Sequence, residues 1–272
     1  MNSGLVLTAL SLVATIANLT FHYPNIKANR ASLRPRREQA IMVVALLLAA
    51  CGFVLDPGLV GYALGGVAVV PASLFLFATL NSGLPYQQAA VAVGALVPDF
   101  TARDADGREF RLSDRRGSPV LLKFYRGVWC PYCVGELNQL NGLAKDFAAL
   151  GVSLIAVSSD RVEELRPFKP RHDWAITLLA DPTLAVHRLY NVQQRNFTPK
   201  RGPFRDLAIP TTMLIDKDGR VLLLEQSIDF RVRPQADAIL AKTQALLSEG
   251  APHAAGTEAC NACVDTVAAA IA

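Results

Sequence analysis

Two pairs of cysteines have a spacing that can do chemistry: Cys130-Pro131-Tyr132-Cys133, and Cys260-Asn261-Ala262-Cys263 near the end of the chain. Thiols three residues apart fit three readings: reversible dithiol–disulfide cycling, half of a zinc site, or two small buried residues with no chemistry. The first pair sits where an apolar run, "PVLLKFY", gives way to a helical pattern that starts at Cys133. A helix start presents unpaired N–H groups and a partial positive charge, which favour a thiolate, and the thiolate is the nucleophile. This predicts a lowered pKa for Cys130. Pro131 suits a first helical turn because its missing N–H has no partner there in any case. Arg126, four residues before Cys130, is placed to add a cation, and Cys133 is one turn along, where it can attack a mixed disulfide or sulfenic acid on Cys130. The second pair could complete four thiolates for zinc, but zinc ribbons carry their halves much closer in sequence. His253 leaves a metal-binding tail as a lesser reading. His22, His172 and His187 sit in no motif and are assigned to packing or surface, so no catalytic histidine, metal site or bound cofactor is expected. The fifth cysteine, Cys51, reads as an apolar filler.

The elements that must position these thiols come from two different regimes. Mean hydropathy is +0.28 and charged residues make up only 18%, unusual for a wholly soluble chain. Through residue 98 there are five basic residues (Lys27, Arg30, Arg34, Arg36, Arg37) and two acidic ones (Glu38, Asp56); from residue 99 onward 22 basic residues meet 21 acidic ones. The basicity is local, which argues against a nucleic-acid-binding surface. Residues 4–20 carry no charge, and residues 39–80 carry only Asp56, in the turn "DPG". Roughly 20 helical residues cross a bilayer, so three spans are predicted: the first segment extended to Tyr23, then Ile41–Leu55 and Leu59–Leu80. Phe21, Tyr23 and Tyr86 fall near the interfaces. A cleavable signal peptide, the alternative for the first segment, lacks a basic n-region and a clean cleavage site. The basic loop between the first two spans points to the cytoplasm, and three spans return the C-terminal part to that side. If one segment does not span, that part lies on the extracytoplasmic face.

Beyond residue 97 strands and helices alternate: "REFRL" as an edge strand, "PVLLKFY" buried, a helix from Cys133 to Leu150 stopped by Gly151, "VSLIAVS", a charged helix from about Arg161, "ITLLA", the helical "LAVHRLYN", a hairpin "TTMLID–KDGR–VLLLEQS", and a final amphipathic helix. This predicts an α/β sheet covered on both faces. The organisation read from the sequence is a membrane region over 1–80, a linker over 81–96, a redox domain over 97–248, and a flexible tail over 249–272.

Residues 96–245 resemble the alkyl hydroperoxide reductase/thiol-specific antioxidant (AhpC/TSA, peroxiredoxin-like) branch of the thioredoxin superfamily. The markers are "LVPDFTARDADGREFRLSDRRGSPVLLKFYRGVWCPYC", "VSLIAVSSD", "LADP", "IPTTMLIDKDGRV" and "DFRVRP" in that order. The resemblance implies a thioredoxin-like fold, a central mixed sheet flanked by helices, here preceded by about three transmembrane helices. It makes Cys130 the attacking cysteine and Cys133 its resolving partner. Arg126, Trp129, Pro131, Pro210 and Thr211 become the lining, with Pro210 facing the pair in either a cis or a trans bond. Typical peroxiredoxins place a Thr three positions before the reactive cysteine, a Pro upstream of it and an Arg just before the late strand; here those positions hold Gly127, Lys123 and Pro210. "WCPYC" and "IPTT" are closer to thioredoxin-like thiol–disulfide oxidoreductases. The expected function is therefore membrane-anchored thiol–disulfide exchange. The alternatives are a thiol-dependent peroxidase using Cys130 and, from a different class, a metal-binding assembly factor. Expected partners are protein thiols or disulfides, or hydroperoxides, with a thioredoxin-like reducing donor, and no nucleic acid. The tail pair Cys260/Cys263 is a candidate redox relay: the twelve residues after Ser248 span roughly 40 Å when extended, against a radius of gyration of roughly 15 Å for such a domain.

Overall fold

The computed structural model describes residues 2–84, 87–168, 172–194 and 206–248. Tyr86, His253 and the Cys260/Cys263 pair lie outside the described residues. The three apolar segments form α1 (Ser3–Lys27), α2 (Arg36–Val54) and α3 (Gly58–Leu80), each long and apolar enough to cross a membrane. Their packing is inverted relative to a soluble bundle. The inward face of α1 carries Gly4, Thr8, Ser11, Thr15, Asn18 and His22, whereas Val13, Ile16, Phe21, Leu47, Leu59 and Phe77 face outward. Small residues let backbones approach closely where lipid supplies no hydrophobic drive between helices. A Cβ on Gly4 would lie 2.8 Å from the Gly52 carbonyl oxygen, and the Ser11 hydroxyl donates across helices to the Ala45 carbonyl at 2.7 Å.

The rest of the chain builds a seven-stranded sheet. Its strands are β1 (Thr101–Asp104), β2 (Glu109–Arg111), β3 (Val120–Phe124), β4 (Ser153–Ser158), β5 (Thr177–Ala180), β8 (Thr211–Ile215) and β9 (Val221–Gln226), in the order β2-β1-β5-β4-β3-β8-β9. β6 (Gln193–Gln194) and β7 (Leu207–Ala208) pair separately. β3, β4 and β5 run parallel, and the outer strands are antiparallel. The expected helix over 133–150 is two helices, α4 (Pro131–Gly142) and α5 (Ala144–Ala149). They break at Leu143, after a glycine that favours helix poorly. The charged helix near Arg161 is a single turn, α6 (Val162–Leu165); α7 (Ala185–Leu189) and α8 (Ala236–Ser248) follow. Alternation along β3 sends Leu121, Tyr125 and the α4 side chains Cys133 and Leu137 into one core, and Leu122 and Phe124 into the other with Met213 and Tyr190.

Two contacts join the helical bundle to the redox body. The last turn of α1 lies on α4: a Cβ on Gly135 would sit 2.5 Å from the Ile26 carbonyl oxygen. Gln139 donates to the Ala28 carbonyl, and the Asn29 amide donates to Gln139 and to the Pro234 carbonyl. The segment after α3 is hydrogen-bonded along the body: Ser82 donates to Asp229 at 2.6 Å, Leu84 N–H to the Ile228 carbonyl, and Val97 N–H to the Gly219 carbonyl. The basic α1–α2 loop lies at this same end, where Arg231 donates to the Leu33 carbonyl.

Candidate redox site

β3 ends at Phe124, and the chain turns through Tyr125–Trp129 to reach α4, with Cys130 as its N-cap residue and Pro131 in its first turn. The loop is pinned from β4 and the turn after it. Tyr125 N–H donates to the Val157 carbonyl, Val128 N–H donates to an Asp160 carboxylate oxygen at 2.8 Å, and Cys130 N–H closes onto the Gly127 carbonyl. Gly127 has φ +152°, and a Cβ there would stand 2.4 Å from Trp129 Nε1 and 2.6 Å from Asp160 Oδ1. A side chain at this φ is strained and would displace Trp129 and Asp160, so the loop as folded disfavours the threonine that peroxiredoxins carry at that position.

Both thiols are reduced and buried, Cys130 at 3% exposure and Cys133 at 0%. Arg233, from the loop between β9 and α8, donates through Nη2 to Cys133 Sγ at 3.3 Å. Burial opposes charge on Cys133, but the hydrogen bond from Cys130 and the Arg233 guanidinium outweigh it and hold this thiol well below the usual range. Cys130 is pushed up, first by its hydrogen bond to Cys133 and then by burial. The two sulfurs are coupled, and the Arg233 contact favours a thiolate on Cys133 over one on Cys130. The sequence places the stabilised thiolate on Cys130 at the helix start; a guanidinium brought in from 100 residues away moves it one turn inward.

Under the dithiol lies a buried ionic cluster. Lys123 Nζ sits 2.6 Å from Glu136 Oε1 and 2.8 Å from Thr212 Oγ1, and Arg233 Nε sits 3.3 Å from Glu136 Oε2. Lys123, Glu136 and Arg233 are 2%, 2% and 4% exposed. Burial lowers the Lys123 ammonium and raises the Glu136 carboxyl, each against the pull of the other. Glu136 follows Cys133 by three residues on α4, so one carboxylate serves both cations beneath the sulfur. The sequence reading did not assign Glu136 or Arg233. The available signal was Lys123 inside a fully buried strand, since a lysine there requires a carboxylate partner.

The other predicted lining residues are placed as follows. Arg126 is buried, donates to Gln194 of β6 at 2.8 Å and stacks 4.8 Å over the Phe230 ring. Trp129 is 55% exposed at the rim. Pro210 is buried at the start of β8, at the end of the sheet that carries the loop to Cys130; no peptide bond among the described residues is cis, so its bond is trans. A strand's first residue tolerates a proline without losing a ladder donor. The Thr211 hydroxyl turns to the Ile209 carbonyl at 2.9 Å, and Thr212, its neighbour on the other face, takes the contact with Lys123. Among the described residues no group of three or more His, Cys, Asp or Glu is arranged to hold a metal.

Asp160 gives the site a pH-dependent stability. Burial raises its carboxyl from 3.8 to about 6, against hydrogen bonds from Ser158 and Val128. The folded chain holds this proton where the unfolded chain has lost it. Stability is therefore greatest at the acid end, falls as pH rises between the two pKa values, and is flat above. A shift of this size costs about 3 kcal/mol at most. Asp160→Asn keeps an acceptor for Val128 N–H and is expected to remove the step. Melting curves should match the native chain near pH 4 and lie above it at pH 8; equal melting temperatures at both would contradict this.

Comparison with known proteins agrees with the geometry. Residues 93–223 match the model of the AhpC/TSA family. A thiol-disulfide oxidoreductase ResA of Geobacillus thermodenitrificans is 35% identical over 144 residues, covering 53% of this chain and 74% of that protein. A Mycobacterium tuberculosis protein described as a peroxiredoxin is 28% identical over 138 residues, covering 50% of this chain and 85% of its own. Among solved structures, a PrxQ variant of Xylella fastidiosa superposes with a TM-score of 0.50 at 19% identity, over 57% of this chain and 96% of that one, which shows the shared fold. The chain is an α/β protein of thioredoxin-like fold and belongs to the AhpC/TSA family.

Proposed function

We propose that this protein is a membrane-anchored thiol–disulfide oxidoreductase that cycles Cys130 and Cys133 between dithiol and disulfide. The observation that carries the reading is the dithiol itself: two buried sulfurs at a helix start, with Arg233 hydrogen-bonded to one of them. In the cycle Cys130, nearest the exposed Trp129 rim, forms the mixed disulfide with a partner sulfur, and Cys133 is the sulfur that closes or opens the internal disulfide behind it. Arg126, Pro131, Pro210 and Thr211 shape the surroundings. The missing threonine at Gly127 favours disulfide exchange over peroxide reduction as the main activity.

The test compares the two substrates on the purified full chain in detergent. Thiol–disulfide exchange with a protein partner that outpaces peroxide consumption is expected. Fast peroxide turnover without exchange with protein dithiols or disulfides would establish the peroxidase reading instead. In the same assay, replacing Cys260 and Cys263 with serine should slow turnover by an external donor if the tail relays electrons, and an unchanged rate would remove the relay. We place residues 1–80 in the membrane, with the redox domain on the side of the basic α1–α2 loop, the cytoplasm by the positive-inside rule. Protease digestion of the domain in intact cells would reverse that side.

A further inference from the structure

Lys123, Glu136, Arg233 and Cys133 form one buried group in which the cationic side chains outnumber the carboxylates. Two cations face a single carboxylate: Glu136 Oε1 holds Lys123 at 2.6 Å, and Glu136 Oε2 holds Arg233 at 3.3 Å. Arg233 has a second contact, Cys133 Sγ at 3.3 Å. Of the other charged groups around the pair, Arg231 is matched by Asp229 at 2.9 Å, and Arg126 and Asp160 carry opposite formal charge. With Cys133 ionised, the group of four is neutral. Once the two sulfurs are joined, a positive charge stays buried without its counter-ion, which is costly in a low-dielectric interior.

We propose that the pair is built to accept electrons, so that the Cys130–Cys133 disulfide acts as an oxidant of reduced protein dithiols. This rests on the reading of the pair as active in thiol–disulfide exchange, and it adds the direction and the substrate class. One partner thiolate attacks the disulfide at Cys130 and releases Cys133 as the thiolate paired with Arg233. The second partner thiol then loses its proton and attacks the mixed disulfide, and Cys130 leaves as the thiol. The partner loses two electrons and two protons and gains an S–S bond. The pair gains both electrons and one proton, and one proton goes to solvent. A dithiol whose reduced form is stabilised in this way is a stronger oxidant, because the released sulfur leaves as a low-pKa thiolate.

The experiment equilibrates the full chain in detergent with thioredoxin and reads the fraction of Cys130–Cys133 disulfide by peptide mass analysis. Cys51, Cys260 and Cys263 are replaced by serine. The equilibrium should favour the reduced chain by at least about tenfold over thioredoxin, equivalent to about 30 mV. Arg233→Met should shift it back toward the disulfide by about tenfold or more, the effect of losing an opposite charge at contact distance, and Arg233→Lys should recover part of the shift. Lys123→Met leaves the Arg233–Cys133 contact in place and should shift it in the same direction by less, which keeps the test open if Arg233→Met does not fold. Glu136→Gln should shift it the opposite way. An equilibrium at or below that of thioredoxin, or Lys123→Met and Arg233→Met constants equal to the native one, would overturn the direction while leaving dithiol exchange intact. A chain that forms no reversible Cys130–Cys133 disulfide would overturn the exchange reading itself.

Discussion

Cys133→Ser is expected to turn the protein into a trap: Cys130 attacks a disulfide partner, and the mixed disulfide persists because nothing remains to displace it. Multiple turnover should fall by at least about 10³-fold, as when a member of a cooperating catalytic pair is removed. A covalent adduct, lost on adding reductant, should accumulate on non-reducing gels. Cys130→Ser should lose turnover to the same extent and form no such adduct, since Cys133 has no exposed surface and lies a turn deeper in α4. The asymmetry is the informative part. The Arg233 contact favours a thiolate on Cys133, so the order of attack is set by access, with Cys130 receiving the partner at the rim. Adducts on Cys133 in the Cys130→Ser chain would reverse the assignment of attacker and resolver.

The second large effect concerns stability and follows from the shared carboxylate. Glu136→Leu strands two buried cations at once, and breaking a buried ion pair from one side costs about 3–5 kcal/mol. Lys123→Met is expected to cost much less, although both residues belong to the same pair. It leaves Glu136 with Arg233 at 3.3 Å, fills a similar volume, and sacrifices mainly the hydrogen bond to Thr212, worth about 1 kcal/mol. Unfolding of the full chain in detergent, followed by tryptophan fluorescence, would give the two midpoints. Equal losses for the two variants would mean that Arg233 does not share Glu136, contrary to the geometry.

The parts of this molecule that were legible in its sequence depend on local pattern. The buried run at β3, the "KDGR" hairpin between β8 and β9, and the three apolar helices each announce themselves within their own residues, and the structure forms them. The Cys130 helix start is legible for the same reason, since Pro131 and the preceding strand are adjacent to it. The helix break at Leu143 was visible only as Gly142, a weak signal inside a strongly periodic stretch. The charge cluster was not legible, because Lys123, Glu136 and Arg233 come from a strand, a helix and a loop, and only the β3–β8 register and the docking of α4 bring them together. Helix-end electrostatics alone points to a thiolate on Cys130, and only the tertiary Arg233 contact favours one on Cys133. Gly127 illustrates a different limit. The sequence shows that the peroxidase threonine is missing, but the close approach of Trp129 and Asp160 that disfavours it is a tertiary fact. Likewise the stretch after α3, uncharged and linker-like by composition, proves to be hydrogen-bonded along the redox body.

The central claim is that Cys130 and Cys133 form one reversible redox couple. The most direct measurement counts thiols in the full chain carrying serine at Cys51, Cys260 and Cys263, through one cycle of oxidation by excess diamide and reduction by dithiothreitol. The account requires two thiols lost per chain, a single Cys130–Cys133 linkage in the peptide map, and full recovery on reduction. Two thiols that stay free in excess diamide, in a chain that remains folded, would contradict it.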